Sequence, residues 1–545
     1  MTTDFTSCSA LIVDDEPAVC NQLSTILKLL GISDIQIAAN GEAALEQLAL
    51  KRFDLVLCDY QLGSKRNGLQ VLEEGRFRRF ILNQNMFVLI TAMQTGDIVY
   101  GAMECQPDAY LIKPLSFQGL KERLQRLFST KQALRPVLAA IDAEQYQLAI
   151  NLCTQLTKSY PKLTLSLLKR KAQLHLTLSN FEQAEQLFTE ILKIRDVPWA
   201  WFNLAQVFVQ TNRHAQALPI LETLLKKSAT HTACYDLLAQ VREALGQPRA
   251  AQQAIESALK LSPFVLKRQT ELSRLAMANN DLSQALAASR MGIRCGRFSC
   301  FKNADNYIRL AAALQSGLNS DNLRIRKDAA DEVIQAMLDL QQDFPERGEL
   351  VICANLITSS AYRRIQKPNE SALYSRTALD VMQASEKNLA HQELQQLSDY
   401  LAITCDPITI EQFVSAQPDH HPFGLAKSLI NAKIESLRAQ AEQAQIDEYN
   451  NKGVELFEQG ALEQAISSFE KATVHAAVNF SILLNALQAH ISLLEQRGTE
   501  PSSMQAINQL FARLEPMATD DRRQGRRRRL LNLYRRLEAS SQLGQ

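Results

Sequence analysis

Four short apolar runs near the start of the chain each end in a polar residue, and no other feature limits the fold as tightly. Leu11-Ile12-Val13 runs into Asp14-Asp15-Glu16, and Leu55-Val56-Leu57-Cys58 into Asp59. Leu89-Ile90 runs into Thr91-Ala92, and Tyr110-Leu111-Ile112 into Lys113-Pro114. Unbroken apolar runs of this length fit the strands of a parallel sheet covered by helices on both faces. The carboxyl ends of such strands line one crevice, where ligands bind. The pattern therefore predicts that Asp14, Asp15, Asp59, Thr91 and Lys113 meet.

Three carboxylates in one crevice repel one another unless a cation joins them. A hard octahedral ion such as Mg²⁺, which takes a few carboxylates and keeps water elsewhere, suits the set. Lys113 brings a mobile positive charge for a phosphoryl oxygen, and Thr91 a hydroxyl donor to the same group. Asp59 is then the nucleophile that forms an acyl phosphate.

With these residues in this order, residues 1–128 resemble the response-regulator receiver family. The resemblance implies a flavodoxin-like α/β domain with a five-stranded parallel sheet, phosphorylated on Asp59 by a histidine kinase or phosphotransfer protein. It also implies Mg²⁺ held by Asp14, Asp15, Asp59 and the backbone carbonyl of Gln61. Thr91 and Tyr110 would form the switch pair, and the Lys113-Pro114 peptide would be cis. The loop from Asp59 to Gly68 departs from the family, because it lacks the proline usual after the phosphoacceptor and is about one residue longer.

The remaining chain is different in kind. Of 545 residues, 59 are basic and 58 acidic, so no bulk field draws the whole protein to nucleic acid or membrane. The ten cysteines occur without a CxxC pair, which argues against a disulfide framework or a cysteine metal site. No run of 18 apolar residues and no basic leader followed by an apolar stretch is found, so a cytoplasmic bacterial protein with no membrane span is expected.

Beyond residue 130 strong helix formers dominate. Ala149, Ala184, Ala217, Ala251 and Ala285 recur at spacings of 35, 33, 34 and 34 residues in similar segments. That period resembles the tetratricopeptide repeat, in which two antiparallel helices cross closely at a small residue. Five repeats are expected over 130–302, degenerate helical repeats over 303–405, and a linker over 406–424 that includes His420 and His421. One clear repeat is expected within 425–500, preceded by a long helix from about Leu425, and capping helices over 501–545. The concave groove of such a solenoid would be lined in the third repeat by Trp199, Phe202, Gln206 and Val209, and in the neighbouring repeats by positions that include Asp236, Gln240 and Lys267. Trp201 is expected in the core and Trp199 on the surface.

The last segment carries Arg522, Arg523, Arg526, Arg527, Arg528, Arg529, Arg535 and Arg536 around Leu530, Leu531, Leu533, Tyr534 and Leu537. It reads as a basic amphipathic helix or a solvated cap. No Gly-rich phosphate loop or metal-spaced His/Cys cluster appears, so no enzyme is expected beyond the receiver's own phosphotransfer and dephosphorylation. The sequence predicts a two-component response regulator whose solenoid meets an unidentified protein partner under phosphorylation control. The alternatives are a nucleic-acid regulator acting through the arginines, and a scaffold with constitutive receiver docking.

Overall fold

The computed structural model describes residues 5–63, 65–92, 105–385, 389–415, 423–475, 479–498, 501–518 and 521–542. The chain divides into two compact units, Met1–Tyr374 and Ser375–Gln545.

The first unit opens with strands β1 (Ser9–Val13), β2 (Asp34–Ala38), β3 (Leu55–Asp59), β4 (Met86–Thr91) and β5 (Ala109–Ile112). They form one parallel sheet in the order β2-β1-β3-β4-β5. Successive side chains of a strand point to opposite faces. Here Ala10, Ile12, Leu55, Leu57, Val88 and Ile90 fill one core, and Leu11, Val13, Val56, Cys58, Phe87 and Leu89 the other. The first core is closed by α1 (Pro17–Leu29) through Leu23 and Leu27. The second is closed by α2 (Gly41–Leu50) and α3 (Gly68–Phe77) through Leu48, Val71 and Leu72. Both faces being buried explains why the strands read as continuous apolar runs rather than alternating ones.

The expected boundary near residue 128 does not interrupt the secondary structure. Helix α4 runs unbroken from Phe117 to Asp142. Leu120 and Leu124 of its first half pack on the sheet. Leu134, Val137 and Leu138 of its second half pack with Ala149, Ile150 and Cys153 of the next helix. One helix thus closes the α/β domain and opens the helical region. Its carboxyl end is tied back to the sheet domain: Asp142 accepts the backbone N–H groups of Asn83 at 2.9 Å and Gln84 at 3.2 Å. Arg79 pairs with Glu144 as well.

Helical hairpins follow, with second helices at Tyr146–Ser159, Phe181–Ile194, His214–Lys227, Pro248–Leu261 and Leu282–Gly296. The five periodic alanines are each the fourth residue of these helices, and all are fully buried. Two residues before each helix stands a residue in the left-handed region: Glu144, Ser179, Asn212, Gly246 and Asn280. Short turns between antiparallel helices need that conformation, which polar residues and glycine tolerate best.

The same markers reveal a hairpin in the stretch where the sequence shows no register. Gln366 is left-handed and Pro368–Ser385 begins two residues later, so its fourth residue is Ser371. Twelve residues upstream, as for Ala239 and Ala251, stands Ser359 in helix Gly348–Arg364. Both serines are buried, and their hydroxyls lie 3.0 Å apart while Ser359 also donates to the Ser371 carbonyl. A hydrogen-bonded serine pair replaces the alanine contact, which hid the repeat.

Other expectations shift in detail. Inside the stretch 406–424, read as a linker, Pro407–Ser415 is helical. Asp406 accepts the Thr409 N–H at 3.0 Å and its hydroxyl at 2.6 Å, so Asp-Pro there starts a helix by capping it rather than breaking the chain. His420 and His421 lie outside the described residues. In the second unit the long helix runs Phe423–Glu458, and helices Leu462–His475, Phe480–Arg497, Pro501–Arg513 and Gln524–Gln542 follow. Among the described residues no helix is long and apolar enough to cross a membrane.

A close crossing recurs in the second unit, where Gly453 of the long helix faces Phe469 of helix Leu462–His475. A Cβ added at Gly453 would lie 2.6 Å from the Phe469 ring. Gly453→Ala is therefore expected to cost about 1–3 kcal/mol through overpacking, read as an earlier urea midpoint. An unchanged midpoint would show that the ring yields freely.

Candidate functional site

The carboxyl ends of β1, β3, β4 and β5 bring the predicted residues together. Ligand oxygens of Asp14, Asp15 and Asp59 all lie within 4.8 Å of one another, with Asp14 and Asp59 buried and Asp15 exposed. Lys113 Nζ lies 2.8 Å from Asp14 Oδ2 and 3.4 Å from Asp59 Oδ2. Asp14 Oδ1 also accepts the Glu16 N–H at 2.9 Å, which orients its carboxylate across the crevice. Thr91 ends β4, fully buried, and its carbonyl accepts the Lys113 N–H at 2.8 Å. The Tyr110 side chain is hydrogen-bonded to that of Thr91. The Lys113-Pro114 peptide is cis. Gln61 follows two residues after Asp59 in the loop beyond β3.

Burial pushes the Asp59 carboxyl up to about 6, and the neighbouring Asp14 charge adds to the rise against the pull of Lys113. One lysine therefore does not balance three carboxylates. A divalent cation would supply the missing charge, and the donor set, carboxylate oxygens beside an open solvent edge at Asp15, has the hardness that Mg²⁺ requires. The Cys58 thiol next to Asp59 is fully buried and held well above its usual range by that burial, so it is inert packing rather than a second nucleophile.

Comparison with known proteins covers the segment that carries these residues. The family model of the response regulator receiver domain matches residues 10–125, and tetratricopeptide repeat models match residues 176–241 and 232–264. The chain joins a response regulator receiver domain to tetratricopeptide repeats. Over 137 residues it is 32% identical to the transcriptional regulatory protein ZraR of Escherichia coli, covering 25% of this chain and 30% of that one. Over 118 residues it is 26% identical to the chemotaxis protein CheY of Pseudomonas aeruginosa, covering 22% of this chain and 94% of that one. A CheY-like receiver domain from Methanospirillum hungatei is 24% identical over 23% of this chain and 96% of its own, with a TM-score of 0.21. The chain thus spans under a third of the length of ZraR.

The loop that follows β3 reaches the repeats. Gly68 donates to the Tyr60 carbonyl at 2.9 Å, and any Cβ there would meet the Asp59 carbonyl oxygen at 2.2 Å, so only glycine closes this loop. Arg66 in the same loop donates to the carbonyl of Phe298, 232 residues away, at 3.2 Å, while pairing with Glu42 and the buried Glu74. At the far end of α3, Phe77 meets Phe301 edge-on with ring centroids 5.5 Å apart. Between these contacts lies a cavity of about 940 Å³. One wall is Tyr60, Arg76 and Phe77 of the receiver, and the other includes Asp236, Gln240 and Lys267, three of the positions expected to line the concave groove. Sequence reasoning missed Arg66, Gly68, Phe77, Phe298 and Phe301. Gly68 alone carried a local sign, a glycine between the loop and the apolar residues of α3.

The third-repeat groove residues sit on helix Pro198–Gln210. Trp199, Phe202, Gln206 and Val209 are all half-buried, and so is Trp201. The expected contrast between the tryptophans is therefore not found. Trp199 packs on the Leu204 and Val207 core and carries Lys169 Nζ 5.0 Å above its ring. Trp201 packs on that core too, and its indole N–H donates to Asp196 at 2.7 Å, a polar partner that holds its tip at the surface.

The raised Asp59 carboxyl gives a testable pH dependence. Its value in the fold, about 6, exceeds the ordinary 3.8, so its contribution to stability is complete below pH 3.8 and is lost as pH rises through 6. In metal-free buffer Asp59→Asn should therefore stabilise the receiver increasingly from pH 5 to pH 8, by up to about 3 kcal/mol at roughly 1.4 kcal/mol per unit. Equal stabilisation at both pH values, by chemical denaturation, would contradict the charge assignment.

Proposed function

We propose that this chain is a two-component response regulator in which phosphorylation of Asp59 controls access to the groove of its tetratricopeptide solenoid. The observation that supports the reading most is the placing of one loop. It begins at Asp59, inside the carboxylate and lysine cluster, and reaches through Arg66 to the Phe298 carbonyl of the repeats.

In the proposed reaction an oxygen of Asp59 attacks the phosphorus of a phosphohistidine on a histidine kinase or phosphotransfer protein. The phosphorus–nitrogen bond breaks and its electron pair returns to the donor imidazole. Asp14, Asp15, Asp59 and the Gln61 carbonyl would hold Mg²⁺, which when bound neutralises charge on the transferred oxygens. Lys113, now shared between Asp14 and Asp59, turns to a phosphoryl oxygen. The Thr91 hydroxyl donates to another, leaving its bond with Tyr110.

Tyr60 carries the consequence outward. It follows Asp59, lies near Tyr110 and Cys105, and lines the cavity between receiver and repeats. A shift of Tyr110 and Tyr60 alters the packing of α3 against the solenoid, so two arrangements of one interface have different populations with and without phosphate. A protein partner that uses Asp236, Gln240 and Lys267 competes with α3 for the groove, while Trp199, Phe202, Gln206 and Val209 extend its path. The chemistry is confined to phosphotransfer and hydrolysis of the acyl phosphate.

Acetyl phosphate with Mg²⁺ is expected to add a single phosphoryl group, seen by intact mass, and none to Asp59→Asn. Lys113→Ala should keep Mg²⁺ affinity and lose most of the phosphorylation rate, because its ammonium contacts phosphate rather than metal. Phosphorylation of the Asp59→Asn protein would overturn the assignment.

A further inference from the structure

The arginine-rich helix Gln524–Gln542 is amphipathic, and its apolar side is already used. Leu530 and Tyr534 are buried in a core shared with Leu483, Leu487, Ile507 and Leu510 of helices Phe480–Arg497 and Pro501–Arg513. Arg526 fixes the rotation of the helix by donating to Asn485 Oδ1 at 2.9 Å and Gln488 Oε1 at 2.7 Å. The opposite side therefore faces solvent in a set orientation. Arg528, Arg529, Arg535 and Arg536 on it are all exposed, as is Asn532 between them.

Seven residues are two helical turns, so Arg528 lines up with Arg535 and Arg529 with Arg536, about 10 Å apart along the axis. Among the described residues Arg528, Arg529 and Arg535 have no ion pair, whereas Arg523 is paired with Asp521. The stretch 521–538 holds eight arginines against two acids, in a chain whose total charge is +1. The positive charge is thus concentrated in this stretch and offset elsewhere, and four of its eight arginines share one helix face.

We propose that this face binds the phosphate backbone of a nucleic acid. A helix that lies on a bilayer must insert its apolar side, and here that side is inside the protein core. A protein interface is built around a buried apolar centre, and the exposed face between the arginine pairs offers only Asn532. What remains is an array of guanidinium forks on a helix of fixed orientation, without a lysine in the stretch, matched to phosphate oxygens in geometry as well as charge. Asn532 can bond sugar or base edges between the two pairs. Binding of this kind carries little sequence preference.

The test is fluorescence anisotropy of the full chain with labelled RNA and duplex DNA of about 30 nucleotides at two salt concentrations. Four phosphate contacts predict an affinity loss on the order of 100-fold between 50 and 200 mM salt. The variant with Arg528→Gln, Arg529→Gln, Arg535→Gln and Arg536→Gln should lose at least about tenfold in affinity at low salt while melting like the wild type. A variant with lysine at these four positions keeps the charge and should recover part of the binding, which separates lost contact from lost fold. Preference between the RNA and DNA arms identifies the target. The proposal is overturned if the glutamine variant binds as tightly as the wild type, or if neither nucleic acid binds at 50 mM salt. Equal or tighter binding to polyglutamate or to phosphatidylglycerol vesicles also overturns it.

Discussion

One helix, α4, holds the first unit together. Its first half completes a core of the receiver through Leu120 and Leu124, and its second half completes the first hairpin of the solenoid through Leu134, Val137 and Leu138. The two domains cannot separate there without breaking a core. Asp142 and Glu144 add polar ties from its end to the loop before β4. With the origin of the solenoid fixed in this way, its later repeats return to the receiver, where Arg66 meets Phe298 and Phe77 meets Phe301. The receiver is thus held at the beginning of the solenoid by a shared helix and touched again further along by a small, partly polar contact. Small contacts of mixed polarity are the ones a change of a few kcal/mol can rearrange.

The charge cluster is suited to supply such a change. Burial raises the Asp59 carboxyl, Asp14 raises it further, and Lys113 offsets only part of the imbalance. In the proposed reaction a metal and a phosphoryl group would rewrite those interactions at a residue whose carbonyl lies too close to Gly68 for any Cβ there. Gly68 begins α3, so the start of the helix that lies over the groove sits directly against the Asp59 backbone.

Much of this was legible in the sequence, for identifiable reasons. Strand ends carry polar residues only where the crevice needs them, so Asp14, Asp59, Thr91 and Lys113 stood out against their apolar runs. The alanines stood out because a close helix crossing admits little else. Ser359 and Ser371 did not, because a hydrogen-bonded pair satisfies the same crossing with residues common on any surface. The continuity of α4 was hidden because helix formers run through both halves and only the packing partners change. The Arg66 and Phe77 contacts join residues more than 220 positions apart, and no local pattern encodes such a pairing. The two tryptophans failed for a related reason, since neighbouring hairpins half-cover both and helical position alone does not separate them.

Amide hydrogen exchange measured with and without acetyl phosphate tests most directly whether Asp59 and the groove are coupled. Phosphorylated wild type should show altered protection in α3 and around Phe298 to Phe301, while the same segments in Asp59→Asn stay unchanged under the same treatment. Identical exchange in phosphorylated and unphosphorylated wild type would contradict the coupling and leave the receiver a docked but silent domain.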